Sequence, residues 1–299
     1  MNGNKKNYKD IVNTYVEKNH NKRLIIDKLV SIFAIVSVLM AIIPLGSILL
    51  EVVKNGAPAL SLDFLTKKPG ALGSGKGGIA PAIQGTMIVV GLASLIAVPV
   101  GVLSGIYLSE FAGKNIFSEA VRFFNDVLTG LPSIVIGIVG YIAIVLVLGS
   151  FSVVAGAFAL SIIMIPIVVR VTEETLKIVP HSIREAGYSL GISKTKITFN
   201  IVLMTAKSGV LTGIILGISR IAGETAPLIM TILGTSLFFS GFTGPVDALP
   251  LRIWRLASQP YESAHDFGWG AALILIIIVL SLNLALRFLT RKNVSRVEV

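Results

Sequence analysis

Arg220 and Glu224 stand four residues apart inside a long apolar run, a spacing that places them on one face of a helix. A guanidinium is a planar, permanently charged fork suited to phosphate and carboxylate oxygens. An arginine at the centre of a bilayer costs on the order of 2.5–3.5 kcal/mol by insertion scales, so a charge there is a functional candidate by default. The two side chains could equally form a structural ion pair that holds their helix against its neighbours. If the run begins near residue 208, Arg220 lies about 18 Å along it. Pro227 should free the Gly223 carbonyl beside the pair. Few other residues offer chemistry. Loop 70–77 reads GALGSGKG, but Gly77 stands where a phosphate-binding loop needs Ser or Thr to hold Mg²⁺. It also sits between two apolar runs rather than joining a strand to a helix. It is expected to be a flexible connector, and the chain is expected to bind no ATP or other cofactor. Cysteine is absent, and His20, His181 and His265 lie far apart in sequence. Neither a disulfide framework nor a thiolate or histidine metal site is expected.

The elements that must position Arg220 are set by composition. The chain is 54% hydrophobic and 14% charged, against about 25% charged in soluble domains. Its mean hydropathy is +0.84. Six apolar runs are long enough to cross a bilayer, near 29–50, 80–108, 121–148, 153–170, 208–238 and 268–289. The run Leu29–Leu50 is too long for a secretion signal and leads into Glu51, so it reads as a retained first span. The chain then divides into a polar tail 1–28, the first span 29–50, a five-helix domain 80–289 and a tail 290–299. An even number of spans puts both termini on one side. That side carries 19 Lys and Arg, the other 6, and Arg220 lies within a span. The richer side should be cytoplasmic. The net charge of +10 therefore reads as a topology signal for a lipid bilayer, and no nucleic-acid partner is expected. The first five runs each contain a proline: Pro44, Pro99, Pro132, Pro166 and Pro227. Gly101 and Gly105, and Gly209, Gly213 and Gly217, recur every four residues, as close helix packing requires.

Segment 171–207, between the fourth and fifth runs, is the most informative. Ser182 and Glu185 have capping-box spacing. Ile183, Ala186 and Leu190 would share a face. Gly191 suits the position just past a helix end, and Ser193 can cap a second helix leading into the fifth span. The spacing predicts a short helix, a sharp turn bearing Lys194 and Lys196, and a second helix. Such a projecting element suits docking into a partner's groove.

Glu185-Ala186-Gly187, three residues, Gly191, nine residues, Ile201-Val-Leu203-Met204 resembles the EAA loop of ATP-binding-cassette (ABC) importer permeases. Gly187 replaces the second Ala of that pattern, and Met204 replaces its final Pro. Segments 79–90, 130–137, 166–180 and 220–228 resemble the A-type permeases of phosphate-specific transport systems. So does Ala257-Ser-Gln-Pro260 followed by His265 and Trp269. The resemblance covers roughly residues 25–290. It implies an all-α, six-helix, MetI-like type-1 permease fold in the bacterial cytoplasmic membrane, with no catalytic residue. It implies a related C-type permease as partner, two ATPase subunits holding ATP and Mg²⁺, and an external phosphate-binding protein. Glu185, Ala186, Gly187, Gly191, Ile201 and Leu203 would form the ATPase-coupling loop. Arg220, Glu224, Thr225 and Arg170 would lie on the phosphate path. Another oxyanion such as molybdate or sulfate would suit the same architecture. A membrane-embedded enzyme would need a cluster of acids or histidines within the spans. A stand-alone channel would leave the projecting loop without a purpose.

Overall fold

The computed structural model describes residues 3–71, 76–113 and 115–294. It falls into two units, Met1–Lys54 and Asn55–Val299. The first is occupied by helix α1 (Gly3–Gly56), which carries the first apolar run with Pro44 inside it. In the second, a short α2 (Leu62–Thr66) precedes α3 (Ala80–Ile106), whose last turn widens into a π-helix over Tyr107–Phe111. Next come α4 (Ile116–Gly130), α5 (Ser133–Gly140), a π-turn, α6 (Leu146–Leu148) and α7 (Val153–Ile178). Then follow α8 (His181–Ser189), α9 (Lys194–Ile197), a third π-helical turn and α10 (Leu203–Ala222). The chain closes with α11 (Ala226–Thr231), α12 (Leu249–Ala257) and α13 (Glu262–Val294). Among the described residues the only β pairing is two isolated bridges. Five helical stretches are long and apolar enough to cross a membrane, and a sixth if a bent pair counts as one.

The bent pair corrects the third predicted span. The chain turns by 105° between α4 and the stretch Ser133–Leu148. Leu131 and Pro132 are extended there, with ψ of 138° and 132°. Proline disfavours the helical conformation of the residue before it, and here, unlike at Pro44 and Pro166, the chain leaves the helix altogether, so the run 121–148 is two segments. Other bounds also move. The fourth span continues beyond 170 to Ile178. The fifth begins at Lys194 and stops at Ala222, well short of 238. The hairpin Gly149–Ser152 forms as expected: Gly149 is left-handed at φ +66°, and the Ser152 hydroxyl accepts the Ala155 N–H at 3.2 Å.

Helix α7 is the centre of the second unit. In its most apolar window 67% of residues are buried, against 33% for α3 and 28% for the α9–α10 stretch. Both neighbours reach it through glycine. A Cβ on Gly101 or Gly105 of α3 would meet Val168 or Thr172; one on Gly213 or Gly217 of α10 would meet Val171 or Met164. Apolar helices gain little from leaving lipid for one another, so their association rests on this intimacy of packing. The core continues through Leu160, Met164, Ile221, Leu228 and Ile232. A second cluster joins Phe64, Ile79, Leu249 and Ile274. There the Thr86 hydroxyl accepts the Leu249 N–H at 2.8 Å, which caps α12 from α3.

Gly85, the residue before Thr86, lies directly under the Asp247 carbonyl, so the obstacle to a side chain is backbone. Gly91, on the same helix, has open space around it. Gly85→Ala should destabilise the fold by about 1–3 kcal/mol, read as a lowered Tm of the detergent-solubilised protein. Gly91→Ala should leave Tm unchanged or slightly raised.

Candidate functional site

Helix α10 ends just after Arg220. The Gly223 and Glu224 N–H groups bond back to the Arg220 and Ile221 carbonyls at 3.4 and 3.2 Å. Thr225 then opens α11: its carbonyl accepts the Leu228 and Ile229 N–H groups, both at 3.1 Å. Pro227 stands in the first turn of that new helix, where its missing N–H has no partner to lose. The expected proline kink beside Gly223 is thus a complete break between two helices. Its cause is packing: α11 turns to lie on α5, where Gly137 makes room for Pro227. At the break Arg220 Nε meets Glu224 Oε1 at 3.1 Å. The Glu224 side chain is 12% exposed, that of Arg220 60%. The carboxylate is tucked in and the guanidinium projects from the subunit.

Arg170 is not part of this group. Gly217 meets Met164 and Val168, whereas Gly213 meets Val171. Arg220 therefore stands opposite the region before Met164, about 12 Å along α7 from Arg170 at 1.5 Å per residue. Arg170 is held by Glu174 at 3.0 Å and Asp126 at 3.3 Å. Beside it Glu173 binds Arg122 at 2.9 Å and Lys177 at 2.6 Å. The amphipathic α4 is fastened to α7 by these pairs and by Asn125, which donates to the Pro166 carbonyl at 3.3 Å.

The second constellation is the turn from α8 to α9. Gly191 is left-handed at φ +71°, a conformation that side chains with a branched β-carbon resist. Ile192 N–H bonds the Gly187 carbonyl at 3.2 Å and Gly191 N–H the Tyr188 carbonyl at 2.9 Å, the two bonds of a Schellman motif. Gly187 is buried, and a Cβ there would lie 2.9 Å from Ile197 Cδ1. Its replacement of alanine lets α8 settle on α9. Glu185, Ala186, Tyr188 and Leu190 are exposed. Ile201 and Leu203 pack instead with Ile106, Leu176 and Val202.

Three local expectations change. The Ser182–Glu185 capping box does not form: Pro180 holds the N-cap position, and Glu185 pairs with His181 at 3.1 Å. Of Ile183, Ala186 and Leu190, only Ile183 turns inward. Ser193 occupies the N-cap of α9 without a side-chain bond.

Sequence reasoning missed Arg184. It grips both Glu110 oxygens, at 3.0 and 2.6 Å, and donates to the Val179 and Leu176 carbonyls at 2.6 and 2.9 Å. Bidentate geometry of this kind is among the stronger polar contacts. The Glu110 carboxylate raises the guanidinium further above its ordinary pKa. One side chain thus ties α8 to the end of α7 and to the π-turn after α3. Its partner lies 74 residues away, beyond any local spacing signal.

The chain is thus a bundle of helices long and apolar enough to cross a membrane, with a break at an exposed arginine and two short helices joined by a tight turn at one end. A family model described as "binding-protein-dependent transport system inner membrane component" matches residues 97–299, and the chain belongs to that family. Among its relatives is the phosphate transport system permease protein PstA of Haemophilus influenzae, 38% identical over 91% of this chain and 94% of the relative. PstA of Xylella fastidiosa is 41% identical over 81% of this chain and 84% of the relative. A probable PstA of Methanocaldococcus jannaschii is 36% identical over 93% and 98%. An inward-facing structure of the MetNI methionine ABC transporter shares the fold, with TM-score 0.58 and 17% identity over 72% of this chain and 94% of that one. Together these place the chain among multi-pass membrane permeases of the MetI-like type.

Replacing Arg184 with Met should release α8 from its three anchors. Hydrogen–deuterium exchange over residues 179–192 should then rise markedly, while α10 stays protected. Unchanged exchange in the variant would show that the anchor is idle.

Proposed function

We propose that this chain is the A-type membrane subunit of an ATP-driven phosphate importer in the bacterial cytoplasmic membrane. In this reading it pairs with a C-type permease, receives phosphate from an external binding protein and is driven by two ATPase subunits that hold ATP and Mg²⁺. It carries no catalytic residue of its own. The relatives' names support the cargo, and the 19 to 6 distribution of Lys and Arg supports cytoplasmic termini.

The observation that carries the proposal is the exposure of Arg220. A guanidinium in an apolar stretch, 60% open with its carboxylate partner recessed, needs an aqueous path or a partner subunit beside it. An anion crossing a low-dielectric passage needs a cationic contact, yet too strong a site would trap it. Glu224 moderates the site by sharing the guanidinium, and Thr225 follows it at the break. On the cytoplasmic side, Glu185, Ala186 and Gly191 dock on an ATPase. Movement of α8 passes through Arg184 to α7 and α3, and so to the surface bearing Arg220. Arg170, neutralised by two carboxylates, is a weaker contributor to the path.

Phosphate uptake into proteoliposomes holding the whole complex tests this reading. Arg220→Gln should abolish uptake with the complex still assembled, and Arg220→Lys should retain part of it. Wild-type uptake in the Arg220→Gln, Glu224→Gln double variant would make the pair purely structural. Uptake of sulfate or molybdate in place of phosphate would overturn the cargo.

A further inference from the structure

Within the apolar stretches a hydrogen bond joins two helices at the residue before Arg220. The Ser219 hydroxyl on α10 lies 2.6 Å from Asn283 Oδ1 on α13 and 2.8 Å from the Ile215 carbonyl of its own helix. A hydroxyl has one proton. It donates to one of these oxygens; where it donates to Ile215, the Asn283 amide turns and donates to it. Either arrangement leaves one bond between the helices. Asn283 falls within the apolar stretch Glu262–Ala285, where a polar side chain needs a partner. Its surroundings offer few others. The neighbouring gap between α3, α10 and α13, about 20 Å³, is lined mainly by aliphatic side chains such as Ile218, Val279 and Leu282. Thr86, the other hydroxyl there, is already engaged by the Ala82 carbonyl and the Leu249 N–H, both at 2.8 Å.

The bond acts on a weak part of α10. Arg220 sits in the last turn, and the helix stops at Gly223, whose N–H reaches the Arg220 carbonyl at a long 3.4 Å. Terminal turns fray. Successive helical residues point about 100° apart. Ile221 is fully buried in the core around α7, while Ser219 turns to α13. Their directions differ by about 200°, so the turn is held from opposite sides. Arg220, between them, is directed to the open side, where its side chain is 60% exposed. Without Asn283 the polar hold on one of those sides is lost.

We propose that Asn283 is a positioning residue: through Ser219 it fixes the final turn of α10 and so the direction in which Arg220 projects. Its bearing on transport rests on the proposed path past Arg220; its hold on the turn does not. A single polar bond between membrane helices is too weak to decide whether they associate. Its loss therefore frees the arginine and leaves the bundle assembled.

Hydrogen–deuterium exchange and phosphate uptake, both on the assembled transporter carrying Asn283→Leu, test this. Exchange over residues 218–225 should rise at least threefold, with residues 203–212 unchanged. Uptake into proteoliposomes should fall at least threefold while Tm and assembly hold. Asn283→Gln should recover part of the uptake. Ser219→Ala should lower uptake by a similar factor. The Ser219→Ala, Asn283→Leu double variant should be no worse than either single one, since both remove the same bond. Wild-type exchange over residues 218–225 in Asn283→Leu overturns the proposal, as do losses that multiply in the double variant. Wild-type uptake in Asn283→Leu, where Arg220→Gln abolishes it, overturns it as well. Raised exchange with wild-type uptake in both Asn283→Leu and Arg220→Gln upholds the hold on the turn and removes Arg220 from the phosphate path instead.

Discussion

Everything in the second unit depends on how closely α3 and α10 approach α7. Inside a bilayer the gain from burying leucine against leucine is small, because lipid offers much the same surroundings. What remains is dispersion between atoms in contact, which falls off sharply when a gap opens. Glycine at 101, 105, 213 and 217 removes the side chains that would hold the helices apart. The β-branched Val168, Val171 and Thr172 of α7 fill the resulting grooves. Since they are stiff at χ1, the contact has one geometry. The three helices behave as a single body.

Polar contacts then fasten the two ends of that body. At one end Arg184 gathers Glu110 and two carbonyls from α7 and the segment after it, so that α8 cannot shift without them. At the other, Asp247 and Arg252 form a buried pair beneath α12, with Thr86 of α3 capping the helix. A buried pair of this kind adds little stability by itself, but losing one partner is costly. Both fastenings therefore fix position more than they strengthen the fold. Between them α10 breaks off at Gly223–Thr225, where α11 leaves its line. The break sets Arg220 at the surface of a rigid unit with its counter-ion recessed behind it.

Composition alone made the membrane class legible, and glycine spacing made the packing faces legible, because both are properties of long windows. Arg220 with Glu224 and the turn at Gly191 were also readable, since helical spacing and a left-handed position each leave a local mark. The bend at Leu131–Pro132 was not: Phe123, Phe124 and Val127 of the amphipathic α4 continue the apolar run, so a window sees one span where there are two directions. The capping box failed because Pro180 already starts α8 and His181 claims Glu185. Arg184 was invisible for a different reason. Its partner Glu110 comes from a segment far away in the chain, and no spacing records a contact across 74 residues.

Anchored through Arg184, α8 and the α3–α7–α10 body move as one. Spin labels at Leu95 on α3 and Ser189 on α8, both exposed, measure this directly by electron–electron double resonance in the assembled transporter. The Leu95–Ser189 distance should be the same in the nucleotide-free and vanadate-trapped states. The distance from Leu95 to a label on the partner permease should change between them. A change in the Leu95–Ser189 distance approaching one helical turn, about 5 Å, would contradict the claim and make α8 a lever that slides on the bundle.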